Sequence, residues 1–255
     1  MFFVVKLYMG FGGAKMKLIV CDLDGTLLLK GERSLKKDVF LSIENLIKKD
    51  VVFACASGRT YGEMRRIFKD ENIIYVPFDG AAAFFGGETL FSVPVETEFL
   101  NFFEETEDVV FHSKLISYVK SESSFFIRRL SRQYEGHVQR ISKLSEIKEP
   151  VYKIGIPKNS PIKNEDFSKK LKRVYDGRDF AEFTGCGADK GKAAEFLCGK
   201  FNIGSDGLYV VGDNLNDIPM MKLTENSFAV YGAKYETRKA AKAEILSAEA
   251  FLKTF

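Results

Sequence analysis

The chain has 255 residues, 45% of them hydrophobic, enough to bury a large core in one big domain or two smaller ones. Lysine and arginine total 38 against 35 aspartates and glutamates, a formal net charge of +3. So slight an excess argues against nucleic acid or an anionic membrane as partner and leaves phosphorylated small molecules open.

The opening Met1-Phe2-Phe3-Val4-Val5 is apolar but broken by Lys6, too short to span a bilayer and without the basic start of a secretory signal, so a cytoplasmic protein is expected. Gly10 to Gly13 has the texture of a linker, which makes residues 1–15 an N-terminal extension and Met16 the expected natural start. Leu18-Ile19-Val20-Cys21 shows no alternation and ends abruptly in Asp22, the pattern of a strand buried in a parallel sheet. A helix from Leu35 to Lys49, a strand Val51 to Ala56, a helix Tyr61 to Lys69 and a strand Ile73 to Val76 follow in βαβ rhythm.

Residues 82–185 change texture. They open on a hairpin-like Phe84-Phe85-Gly86-Gly87-Glu88-Thr89-Leu90-Phe91 and continue with two helix-like stretches separated by Val109 to Phe111 and Tyr118-Val119. A strand Val151 to Ile156, a helix Glu165 to Tyr175 and a strand Phe180 to Thr184 come next. The first rhythm then returns with a helix Lys190 to Phe201, a strand Leu208 to Gly212, a helix around Ile218 to Leu223, a strand Phe228 to Val230 and a helix from Lys234. The expected fold is α/β: a Rossmann-like, doubly wound parallel sheet from residues 16–81 and 186–255, with residues 82–185 as an inserted α+β domain.

Two acidic motifs each follow an apolar run, Asp22-Leu23-Asp24-Gly25-Thr26 and Gly212-Asp213-Asn214-Leu215-Asn216-Asp217. Residues two apart on an extended chain share a face, so Asp22 and Asp24 project into one site at a strand's carboxyl end, where ligands of such sheets collect. With Asp213 and Asp217 added, up to four carboxylates crowd together. Their repulsion raises their pKa values unless cations compensate, and a hard divalent ion, Mg2+ before Ca2+, suits such oxygen donors. Each motif alone also reads as an acidic turn after a strand.

Cys21, Cys55, Cys186 and Cys198 lack metal-ligand spacing and read as reduced core residues. Cys21 adjoins Asp22, yet neither His112 nor His137 lies near it in sequence to activate a thiol.

The motifs together resemble the haloacid dehalogenase superfamily, and within it the Cof-like phosphatases with a large α/β (type C2) cap inserted between the second and third motifs. Asp22 and Asp24 match the Asp-x-Asp motif, Ser57 in Ala56-Ser57-Gly58-Arg59-Thr60 the second, Lys190 in Asp189-Lys190-Gly191 the third and Gly212 to Asp217 the fourth. The resemblance covers the chain from about Lys17 onward. It implies that Asp22 is the nucleophile, forming an aspartyl phosphate, and that Asp24, protonated at first attack, serves as acid and then base. It also implies that Mg2+ is held by Asp22, the backbone carbonyl of Asp24 and Asp213, with Asp217 orienting its waters, while Ser57, Gly58, Lys190 and Asn216 bind phosphate. Taken alone, Ser57-Gly58-Arg59 is an ordinary loop and Lys190 a solvated lysine. Arg59 is left as a structural or ion-paired residue.

Two departures stand out. Asp79-Gly80-Ala81 occupies the place of the usual Asn-Gly-Ala, and Tyr231-Gly232-Ala233 stands where Asn-Ala is common. The linkers to the inserted domain are expected near Asp79-Gly80 and Gly185-Cys186-Gly187, with glycines absorbing rotation or forming tight turns. The basic stretch Arg128, Arg129, Arg132, His137, Arg140 and Lys143 reads as a solvated helix face or a lure for polyanionic substrates. The expected activity is Mg-dependent hydrolysis of small phosphomonoesters, with a phosphomutase or phosphotransferase and a weakly active phosphate-binding regulator as alternatives.

Overall fold

The computed structural model describes residues 16–70, 72–120, 126, 137–158, 160 and 170–255. In chain order the strands of the first part are β1 (Leu18–Asp22), β2 (Val52–Ala56), β3 (Ile74–Val76), β4 (Ala82–Phe85) and β5 (Glu88–Ser92). Those of the middle are β6 (Val110–His112), β7 (Ile116–Val119), β8 (His137–Arg140), β9 (Lys153–Pro157), β10 (Leu171–Asp176) and β11 (Phe180–Gly185). The last part adds β12 (Leu208–Gly212), β13 (Ser227–Val230) and β14 (Ala243–Ile245).

Two sheets result. The larger has the order β14-β13-β12-β1-β2-β3-β4-β5, parallel from β14 to β3 and antiparallel beyond. Both faces of β1 are covered: Ile19 and Cys21 pack with Ile43 and Leu46 of the helix Lys37–Lys48, while Leu18 and Val20 pack with Ala193 and Leu197 of the helix Lys190–Phe201. This two-sided burial is why the strand carries no polar alternation. Each Val, Leu, Ile or Phe buried this way contributes about 1.5–3 kcal/mol. The helix Tyr61–Phe68 starts at a capping box, in which the Thr60 hydroxyl accepts from Glu63 N–H and the Glu63 carboxylate accepts from Thr60 N–H.

The smaller sheet, β10-β11-β9-β6-β7-β8, is antiparallel except for the β7–β8 pair. Its core of Phe103, Phe111, Tyr118, Ile154 and Phe183 is separate from that of the larger sheet.

Several expectations need correction. The hairpin, assigned to the inserted segment, pairs through Tyr75 and Phe84 with β3 and so extends the larger sheet. The chain therefore crosses between sheets later, around Pro94: Val93 N–H donates to Ala81, Val95 N–H to Val151. The return crossing lies beside it, since a Cβ on Gly185 would stand 3.2 Å from the Pro94 carbonyl oxygen. Asp79-Gly80 is not a linker but a buried turn.

Residues 171–175, read as the end of a helix, lie in the strand β10; the start of that predicted helix lies outside the described residues. Arg128, Arg129 and Arg132 also lie outside them, as do residues 1–15, whereas His137 and Arg140 stand on the exposed edge strand β8 instead of a helix. β14 and the closing helix Ala248–Leu252 were not anticipated. Cys21 and Cys55 are buried, but Cys186 is exposed and Cys198 half-buried, so neither of the latter belongs wholly to the core. No helix among the described residues is long and apolar enough to cross a membrane.

Candidate active site

From β1 the chain builds outward through β2 and β3 on one side, and from β12 through β13 and β14 on the other. The strand order therefore reverses between β1 and β12, whose Cys21 and Val211 are register partners. Crevices outside the carboxyl ends of strands at such a point are where ligands bind in open α/β sheets. Asp22 is the last residue of β1 and Asp213 the first after β12.

Asp22, Asp213 and Asp217 converge there, offering oxygens within 4.8 Å of one another. Lys190, in the first turn of its helix and 1% exposed, reaches between them, with Nζ 2.5 Å from Asp22 Oδ1 and 2.7 Å from Asp217 Oδ1. The other Asp217 oxygen accepts from the N–H groups of Asp213 and Asn214, both at 2.9 Å, so this side chain orders the loop after β12. Burial pushes the Asp22 carboxyl well above its ordinary range, Asp217 and Asp213 add to this, and Lys190 offsets only part of it. Burial also raises Asp213, again with help from Asp217. For Lys190 burial works against charge, but the two carboxylates outweigh it and keep the ammonium. Burial holds the neighbouring Cys21 thiol neutral, unsuited to nucleophilic work.

The fourth aspartate departs from expectation. The Asp24 carboxylate is turned out of the cluster and accepts from Arg59 at both oxygens, Nε at 2.8 Å and an Nη at 2.6 Å, with the Ser57 hydroxyl at 3.5 Å. Three carboxylates crowd the site, not four, and Asp24 is held by a guanidinium fork. Gly25 makes the sharp exit after Asp24 possible: its φ is +92°, and a Cβ there would stand 2.7 Å from Asp213 Cγ.

Ser57 follows β2, is 1% exposed, and accepts from Arg59 N–H at 3.1 Å. Ser57, Gly58, Asp22, Asp24 and Asn216 all line a cleft of about 960 Å³ that the smaller sheet walls with Lys153, Tyr175 and Glu182. That size suits a small metabolite. Asn216 donates through Nδ2 to Asp79 at 2.9 Å, while its Oδ1 is buried without a partner.

Sequence reasoning left Arg59 as a structural or ion-paired residue, and it is ion-paired with Asp24, but it passed over Lys153 and Glu182. Lys153 donates to the Gly58 carbonyl and lies 3.3 Å from Asp79 and 3.2 Å from Glu182. The signal was present, a single charge inside the apolar run Val151 to Ile156. Asp79 is almost wholly buried; burial opposes its ionisation, but Lys153, Lys190 and the Asn216 hydrogen bond prevail and hold its carboxyl below the usual range.

The residues fit a divalent cation. Three carboxylates share one ammonium, and Asp22 Oδ2 is buried with no hydrogen-bond partner, an acceptor of the hard-oxygen kind that such an ion takes.

No curated protein matches the chain. Solved structures do: a protein from Eubacterium rectale (TM-score 0.84, 22% identity, 94% of this chain and 99% of that one) and a haloacid dehalogenase-like hydrolase from Bacteroides thetaiotaomicron (0.81, 20%, 94% and 100%). BT1666 from the same organism, treated among the phosphatases of the haloalkanoate (HAD) enzyme superfamily, superposes at 0.70 with 17% identity over 96% of both chains. These share the fold, as does a HAD/COF-like structure from Plasmodium vivax at 0.76, with 24% identity over 95% of this chain and 96% of that one. The haloacid dehalogenase-like hydrolase model matches residues 19–250, and the chain belongs to that family.

Proposed function

We propose that the chain is a Mg2+-dependent phosphatase that hydrolyses small phosphomonoesters, such as sugar phosphates, through an aspartyl phosphate on Asp22. The observation that carries this reading is the convergence of Asp22, Asp213 and Asp217 on Lys190 at the strand-order reversal. Asp22, Asp213 and the backbone carbonyl of Asp24 would hold Mg2+, with Asp217 orienting its waters; the ion supplies positive charge to the phosphate oxygens.

Asp22 attacks the phosphorus in line, its oxygen bonding as the bond to the leaving alcohol breaks, and Asp24 delivers a proton to the departing oxygen. In the second half Asp24 takes a proton from water, the water oxygen bonds to phosphorus, and orthophosphate leaves Asp22 free. Arg59 occupies both Asp24 oxygens, so proton delivery requires one of them to be released first. Lys190 bonds only Oδ1 of Asp22, and the third N–H of the ammonium remains for a phosphate oxygen. Ser57, Gly58 and the second N–H of Asn216 complete the phosphate site.

The part from Val95 to Gly185 serves as a cap over the core formed by residues 16–94 and 186–255, excluding water and reading the leaving group. A panel of phosphorylated metabolites, assayed with and without Mg2+, tests the reading. Orthophosphate release by the wild type and none by folded Asp22→Asn is the expected result. Substantial turnover by Asp22→Asn sinks it, and an isomerised ester without free phosphate makes the protein a phosphomutase.

A further inference from the structure

Lys153 is the first residue of β9, at 2% exposure. Its register partners are His112 on β6 and Thr184 on β11, with Ser117 and Lys172 next outward, so a row of polar side chains crosses one face of the smaller sheet. From this row Lys153 reaches into the larger domain. Its ammonium has three N–H donors and meets three acceptors: the Gly58 carbonyl, the Asp79 carboxylate and the Glu182 carboxylate. None is left over for an anion on the substrate.

Asp79 is tied to the same loop from several directions. A Cβ on Gly58 would stand 3.1 Å from Asp79 Oδ2, so the carboxylate lies directly against that glycine, while Oδ1 accepts from Asn216 Nδ2 at 2.9 Å. Asp79 N–H donates to the Ser57 carbonyl at 3.0 Å and Phe78 N–H to the Arg59 carbonyl at 2.9 Å. Phe78 and Asp79 both hold left-handed backbone, φ 55° and 57°, a conformation that costs free energy in residues other than glycine and persists only where its surroundings dictate it.

We propose that Asp79 and Lys153 are a positioning pair for the phosphate site. Lys153 fixes the Gly58 carbonyl and neutralises Asp79, and Asp79 turns the Asn216 amide nitrogen toward itself. The pair thereby links the cap strand β9 to the loop that receives phosphate. Its balance is delicate: one ammonium faces two carboxylates, and without it both negative charges confront the place where a phosphate dianion docks. This inference deepens the proposed function and rests on Ser57, Gly58 and Asn216 being the phosphate site.

Orthophosphate is the probe, titrated calorimetrically into the full-length protein with Mg2+ present, so that binding is read without turnover. In Lys153→Met the Kd for orthophosphate rises by about 10-fold or more, as befits a buried charge left unpaired. Adding Asp79→Asn to that variant brings the Kd back to within about 3-fold of wild type, because one uncompensated carboxylate has gone. Circular dichroism melting checks folding; if Lys153→Met does not fold, Asp79→Ala, in which Glu182 still pairs with Lys153, should itself weaken orthophosphate by about 10-fold.

Unchanged affinity in Lys153→Met overturns the proposal, as does a double variant that binds no better than Lys153→Met or an Asp79→Ala protein that binds like wild type. A lower melting temperature with wild-type orthophosphate affinity makes the pair merely structural and overturns it too. The phosphatase reading fails differently: the wild type then binds orthophosphate, follows the pattern above, and releases none from any phosphomonoester. A wild type that binds no orthophosphate overturns both.

Discussion

Replacing Lys190 by Met nearly preserves the volume of the side chain and removes a charge held between two carboxylates. The Nζ contacts at 2.5 and 2.7 Å join side chains that are 0%, 7% and 0% exposed, so solvent screens little. Taking one partner from a buried ion pair costs about 3–5 kcal/mol. At roughly 2–4 °C per kcal/mol for a chain of this size, the variant should melt about 10 °C below wild type. The pH dependence has a definite sign. Asp22 already lies above its ordinary value because of burial, and without Lys190 it climbs further. A carboxyl whose folded pKa exceeds its unfolded one destabilises the fold above both values and ceases to do so as pH falls and the proton binds. The deficit is therefore larger at about pH 8 than at about pH 5.

Cation binding adds a third arm to the same experiment. Three carboxylates with one ammonium carry a formal −2, and the variant carries −3, so Mg2+ should raise the melting temperature of the variant more than that of wild type. Occupancy at about 100 times Kd is worth about 2.7 kcal/mol. Scanning calorimetry at both pH values, with and without Mg2+, reads all three. A variant melting within about 2 °C of wild type in metal-free buffer at the higher pH would refute the account of Lys190 as the counter-charge of the cluster.

Two further outcomes are expected. The Arg59–Asp24 pair has fork geometry, but its side chains are 33% and 50% exposed, so a double-mutant cycle of Arg59→Met and Asp24→Asn should give a coupling of only about 1 kcal/mol; urea melts yielding zero would show the pair to be incidental. The Asp79 carboxyl is held below the usual aspartate value by Lys153. Its stabilisation is full above about pH 3.9 and is lost as pH falls through the lower folded value, so the stability of wild type should decline more steeply in that acid window than that of Asp79→Asn. Parallel curves for the two proteins between about pH 5 and 2 would contradict it.

Local sequence determined much of this protein. The unbroken apolar runs before Asp22 and Asp213, the helical periodicities between strands, and polar residues placed just past strand ends follow from rules that operate over a few residues. They were sufficient for the parallel sheet, for the helix Lys190–Phe201 and for bringing Asp22, Asp213 and Asp217 to one crevice, whereas Lys190 reads locally as a solvated lysine and was expected there only through the family resemblance. What required the tertiary structure was the choice among partners. The hairpin Ala82–Ser92 is legible as a hairpin, but nothing local says which sheet edge it joins. The mixed charged and apolar residues of Leu171–Asp176 suit a helix as well as a strand until β11 supplies the pairing. Asp24 shares the acidic motif with Asp22 yet answers to Arg59, 35 positions away, and Lys153 finds Gly58 at a separation of 95. Contacts of that span depend on how the two sheets pack against each other, and the free energy that selects them belongs to the assembled core, not to any single segment.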